Sequence, residues 1–139
     1  MNNNIYITYC SKQKCICKSD DSKLLAPSEL YISSRVQNFI HFCKKQKYTW
    51  AIFSDYYGIV FENEKIKWYD KSPERVTEKD YDGLLENSLY KLKNYENVFF
   101  YYSIESFHPI YKRLVKDLKG SKNIMLIDRL EDCYEDTNI

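Results

Sequence analysis

The chain has little glycine and little proline, 3 of each in 139 residues. That scarcity argues against a loop-rich or all-β design and for regular elements with few sharp turns. Neither sign of charge dominates: 21 Lys+Arg against 20 Asp+Glu leave a formal net charge of +1. Near-neutrality removes the usual electrostatic reason to expect non-specific nucleic-acid binding, while a local basic patch stays open. No run approaches the roughly 20 apolar residues of a membrane span. The opening Met-Asn-Asn-Asn carries no positive charge and leads into no long apolar stretch, so no secretion signal is expected. Five Cys, an odd number without such a signal, read as reduced thiols in the cytoplasm rather than a disulfide framework.

What the chain does have is a 44% hydrophobic share, enough for a real core, and a length that fits a single domain over 1–139. It also has 14 Tyr, 7 Phe and 2 Trp. Compositional bias accounts for such a count, and so does a surface of stacking platforms for rings. Four apolar or β-branched runs read as strands: Ile5–Cys10, Thr49–Ser54, Val98–Tyr102 and Ile124–Ile127. Ile59–Phe61 and Ile66–Tyr69 read as short strands or an extended excursion. Helical periodicity with capping signals runs from Ser28 to about Lys47, from Thr77 to Leu92, and from Pro109 to the stop at Gly120. Strands alternating with helices predict an α/β fold: one three-layer domain, a mostly parallel central sheet of about four strands, and helices on both faces. Ligands of such sheets bind beyond the carboxyl ends of the strands. That rule selects the loops around Cys10-Ser11-Lys14 and Ser54-Asp55-Tyr57-Gly58, with Gly58 as the turn residue.

Each chemical candidate has a plainer alternative. Cys10-x4-Cys15-x-Cys17 is poorly spaced for zinc, so no metal is expected. Cys10 lies among Ser11, Lys12 and Lys14, where nearby ammonium groups would favour a nucleophilic thiolate; a small buried thiol fits the position as well. Ser11 and Lys14 offer a hydroxyl, backbone donors and a cation to an anionic group, although solvated loop lysines explain them too. No glycine-rich phosphate loop or dinucleotide fingerprint occurs, and no cofactor is called for. His41 and His108 are unlinked and fit structural roles, and no hydrolase triad is recognisable.

Four motifs follow one another in order: Cys10-Ser11-x-x-Lys14, then Leu30-Tyr31-x-Ser33, then Trp50-x-Ile52-x-Ser54-x-x-Tyr57-Gly58, then Tyr69-Asp70. Over roughly residues 5–75 this pattern resembles a family of small uncharacterised bacterial and archaeal domains, written C-S-x-x-K, LY-x-S, W-x-I-L-S-A-x-Y-G-L and Y-D. More distantly it is similar to the core domain of archaeosine synthase, a tRNA-modifying enzyme with a uracil-DNA-glycosylase-like fold. Asp55 stands where the small-domain pattern has Ala. The resemblance implies a nucleobase or nucleotide pocket. Cys10, Ser11 and Lys14 would form one wall, Tyr31 and Ser33 would enter from the first helix, and Ser54, Tyr57 and Gly58 would form the floor. Tyr69 and Asp70 would close the rim, with Cys10, Ser54 and Asp70 carrying any chemistry.

Three functions are therefore open. The first is a nucleobase- or nucleotide-handling domain, as an enzyme of nucleoside or modified-base (deazaguanine or tRNA-type) metabolism. The second is a non-catalytic module for nucleic acid or nucleotide, with Lys12, Lys14, Lys18 and Lys23 on one face. The third is a Tyr-rich protein-interaction domain. No membrane partner is expected, and the sequence leaves the oligomeric state open.

Overall fold

The β-branched and aromatic run at the start of the chain becomes the middle strand of a five-stranded sheet. In the computed structural model, which describes residues 3–12, 14 and 23–133 (backbone only for the last two), this strand is β1, Asn4–Tyr9. The elements that follow are β2 (Leu24–Leu25), α1 (Pro27–Leu30), α2 (Ser34–Gln46), β3 (Trp50–Ser54), β4 (Gly58–Phe61) and β5 (Ile66–Lys67). Next come α3 (Glu78–Lys91), β6 (Asn97–Tyr101), α4 (Pro109–Leu118) and β7 (Asn123–Ile127). The sheet runs β4-β3-β1-β6-β7, and β2 and β5 form a separate two-stranded ribbon. β1 pairs in parallel with β3 and β6, and β6 with β7. Within the five-stranded sheet β4 alone is antiparallel, folding back on β3 through a turn closed by the Ser54–Gly58 pair, and the β2–β5 ribbon is antiparallel too.

The fold is thus α/β with a mostly parallel sheet. It has five strands rather than the expected four, because Ile59–Phe61 extends the edge. The first helical stretch also differs from expectation. Instead of one helix from Ser28, a four-residue turn ends at Leu30, and α2 starts afresh behind Ser33, whose Oγ accepts the Val36 amide. The break lies at Tyr31, a fully buried residue whose hydroxyl meets that of Tyr69 at 2.6 Å. A long-range contact therefore overrides the local helical pattern. The other two helices match expectation; Thr77 caps α3 in a reciprocal pair with Asp80.

Alternation along β1 divides its side chains between two cores. Ile5, Ile7 and Tyr9 pack with Tyr81 and Leu84 of α3 and with Tyr111, Leu114 and Leu118 of α4. Tyr6 and Cys10 pack with Val36, Phe39, Ile40 and Cys43 of α2. A strand buried this way has to be nearly continuously apolar, as it is.

The strand order positions the site. From β1 the chain steps one way to β3, then returns across β1 to β6 and continues to β7. The direction reverses between β1 and β6, and the ends of those two strands flank a crevice that parallel sheets use for ligands.

Candidate functional site

A cleft of about 670 Å³ opens at this reversal point. Cys10, Asp55 and Tyr111 line it together with Ser33, Ser34 and Arg35 from the start of α2, and with residues 103–108 of the loop from β6 to α4. Ser11, Lys12, Lys71, Pro73 and Glu74 complete the lining. The volume lies in the range of small-molecule sites.

Arg35 organises one side. Its Nη1 donates to Thr8 Oγ1 at 2.6 Å, and its Nη2 donates to the carbonyls of Tyr9 and Cys10 at 2.9 and 3.0 Å. The guanidinium carbon lies 4.0 Å from the centre of the Tyr9 ring. Burial lowers its pKa from the ordinary value, and a guanidinium remains cationic throughout. Thr8 Oγ1 in turn donates to Tyr101 O at 2.7 Å, which ties the ends of β1 and β6 together.

Tyr9 anchors the opposite loop. Its hydroxyl lies 2.7 Å from Ser106 Oγ, donates to Ser103 O at 3.1 Å and accepts from Ser103 N at 3.0 Å. His108 caps α4, its Nδ1 accepting the Ile110 amide at 3.1 Å. A neutral ring so engaged carries its proton on Nε2.

Asp55 is the chemically unusual member. It is 3% exposed, and its Oδ1 has no hydrogen-bond partner among the described residues. Burial pushes its pKa up to about 6, against the downward pull of the Lys14 charge. Cys10 lies beside it, 5% exposed, with its Sγ 3.6 Å from Tyr111 Oη. Burial first, and the Asp55 charge second, push the Cys10 thiol up to about 11. An acid that ionises near neutrality thus adjoins a thiol that stays protonated.

The residues expected from sequence are only partly brought together. Cys10, Ser11 and Ser33 border the cleft. Tyr31, Ser54 and Tyr69 form a buried hydroxyl cluster instead. Ser54 Oγ donates to Tyr69 Oη at 3.0 Å and accepts the amides of Tyr56 and Tyr57 at 3.1 and 2.9 Å. Burial raises the pKa of both Tyr31 and Tyr69 well above the ordinary tyrosine value. Lys14 bridges to Tyr31 and places its Nζ 4.4 Å from the Tyr69 ring centre. Tyr57 donates to Lys67 O at 3.2 Å, its own pKa raised chiefly by desolvation. Gly58 takes φ +82° at the hairpin. Asp70 is exposed and is not among the cleft's lining residues.

Asp55 lies in a loop that the sequence selects but has no role assigned there, and Arg35, Tyr111 and the 103–108 loop, His108 apart, are not singled out by the sequence. Lys18 and the Cys15–Cys17 pair lie outside the described residues. Among the described residues no group of three or more His, Cys, Asp or Glu could hold a metal ion, and no helix is long and apolar enough to cross a membrane. Comparison of the chain with protein-family models, with curated proteins and with solved structures finds no match.

Proposed function

We propose that the cleft binds a nucleobase or a nucleotide-like ligand, and that the Asp55 carboxyl receives a hydrogen-bond donor from the edge of the base. One observation carries this reading: Asp55 lines the open cleft, and one oxygen of its buried carboxyl has no hydrogen-bond partner among the described residues. Such a group is costly unless a ligand completes it. The ring N–H and amino groups of nucleobases are donors of the required kind. The four-motif sequence resemblance implies the same ligand class through Cys10, Ser11 and Ser33, which line the cleft, although its pattern has Ala in place of Asp55.

A carboxyl with a pKa of about 6 also takes up and releases a proton near neutral pH. This favours an enzyme of nucleoside or modified-base metabolism, with Asp55 as its acid–base group and Cys10 as a donor rather than a nucleophile. On this reading the two packed cores are the interfaces of a three-layer arrangement, and the protein works in the cytoplasm, where its thiols stay reduced.

The test is a thermal-shift and calorimetric panel of free nucleobases, nucleosides and nucleotides, on the natural chain and on Asp55→Asn and Asp55→Ala. At least one base-containing ligand should bind, and Asp55→Ala should weaken it about tenfold or more through loss of a charge-assisted bond. Absence of binding across the panel, or binding indifferent to Asp55→Ala, would sink the proposal.

A further inference from the structure

We infer that the ligand of this cleft carries a phosphate next to its base, and that the first turn of α2, Ser34 and Arg35 behind the Ser33 cap, is where the phosphate docks. The inference rests on the reading of the cleft as a nucleobase site and specifies its ligand as a nucleoside monophosphate unit.

The first amides of an α-helix have no partner within it, and they carry the positive end of the helix dipole. In α2, thirteen residues long, Ser33 Oγ takes the Val36 amide and leaves those of Ser34 and Arg35 at the edge of the cleft. No acidic residue lies in this first turn, whereas α3 begins with Glu78 and Asp80. The start of α2 is therefore not neutralised by its own side chains, and the Arg35 cation adds to its field. The other helix that begins at the cleft is closed to an anion. Pro109 has no amide proton, and His108 already takes the Ile110 amide.

The remaining charges at the cleft are largely engaged. Lys71 donates to Asp80 at 2.9 Å, Lys12 lies 3.7 Å from Glu74, and Glu105 accepts from Ser103 Oγ at 2.5 Å. This leaves two poles. One is the start of α2, which suits an anion. The other is Asp55, a residue of the same cleft whose buried carboxyl has one oxygen without a donor among the described residues, which points to a ligand there. A ligand that answers both has an anionic group at one end and a hydrogen-bond donor at the other. A base bearing a 5′-phosphate has that form, and a bare base has only half of it.

Calorimetry at low salt compares guanosine with GMP and adenosine with AMP, with inorganic phosphate as competitor. A 5′-phosphorylated dinucleotide separates a free nucleotide from the end of a polynucleotide. In one pair at least, the phosphate should tighten binding about tenfold or more. Inorganic phosphate should reduce that gain, and Ser34→Glu should collapse it. An acidic side chain in the first turn favours the helix dipole, so this variant should melt no lower than the natural chain while repelling the anion. Tight binding of the dinucleotide alone would also support phosphate docking and assign it to a polymer end. Equal affinities within each pair, or a gain that survives Ser34→Glu, would overturn the inference and leave the nucleobase reading standing. No binding by any member would remove both.

Discussion

The thiol of Cys10 and the phenol of Tyr111 meet at 3.6 Å beneath the cleft, although 101 positions separate them in the chain. The contact joins the end of β1 to the first turns of α4 and encloses the thiol in a low-dielectric pocket beside Asp55. Burial and the nearby carboxylate both oppose ionisation, which is why the pKa rises from 9.0 to about 11. At neutral pH the thiolate fraction should be about 100-fold below that of an ordinary cysteine. Iodoacetamide labelling followed at the peptide level should therefore find Cys10 alkylated at least that much more slowly in the native protein than in urea. Asp55→Asn should speed the native reaction by removing a negative neighbour. Equal native and denatured rates would mean that the thiol is not enclosed.

Asp55 gives a stability prediction with a definite sign. Its pKa is 3.8 unperturbed and about 6 in the fold. Between those values the native state holds more protons than the unfolded chain, so stability falls as pH rises through that window. Two pH units correspond to about 3 kcal/mol. Asp55→Asn should therefore be more stable than the natural chain at pH 7.5, with about half that advantage at pH 5. Urea unfolding at the two pH values checks this. A natural chain that gains stability from pH 5 to 7.5 relative to the variant would contradict the assignment. An acid retained at such a cost is what a functional site requires.

The distribution of legible and illegible features follows the range of the interactions. β1 and β3 were readable because a strand buried on both faces must be nearly apolar along its length, as Ile5–Tyr9 and Trp50–Ser54 are apart from Thr8 and Ser54. The helices at Thr77 and Pro109 were readable because their caps are local. The break at Tyr31 was not, because it depends on Tyr69, far along the chain. Arg35 looked like any charged residue near a helix start, and only the fold turns it onto the carbonyls of Tyr9 and Cys10. Asp55 was visible as a polar turn residue where the resembling pattern has Ala, but its burial is a tertiary property. Asp70, singled out by its motif, lies in solvent.

Gly58 fixes the turn that carries Asp55. Its φ of +82° is disfavoured for other residues, and a Cβ there would lie 2.2 Å from Asn87 Oδ1. That oxygen accepts the Ile59 amide at 2.9 Å, so it cannot move without losing a bond that holds β4 to α3. Gly58→Ala should cost about 2–4 kcal/mol in urea unfolding, from backbone strain and the displaced amide together. Adding Asn87→Ala relieves the collision but not the φ strain. The double variant should therefore lose less than the sum of the singles. Strict additivity would place the cost in the backbone alone.

Arg35→Lys tests whether the cleft depends on a guanidinium or merely on a positive charge. The planar fork reaches Thr8 Oγ1 and two successive carbonyls at once, and stacks on the Tyr9 ring. An ammonium on a flexible stem keeps the charge but cannot reproduce that geometry. Losing two of the three bonds should cost about 2 kcal/mol of stability. The carbonyls of Tyr9 and Cys10 would be released at the point where β1 ends, while the Cys10 amide keeps its bond to Phe53 O at 2.9 Å. Loss of order should therefore begin beyond Cys10, and hydrogen exchange should show faster opening at Ser11 and Lys12 than at Cys10. Ligand affinity should fall with it, because the start of α2 would lose the link that Arg35 makes to Cys10 O, next to Ser11 in the cleft wall. If Arg35→Lys matches the natural chain in stability, exchange and binding, charge alone suffices and the guanidinium geometry has no part in forming the cleft.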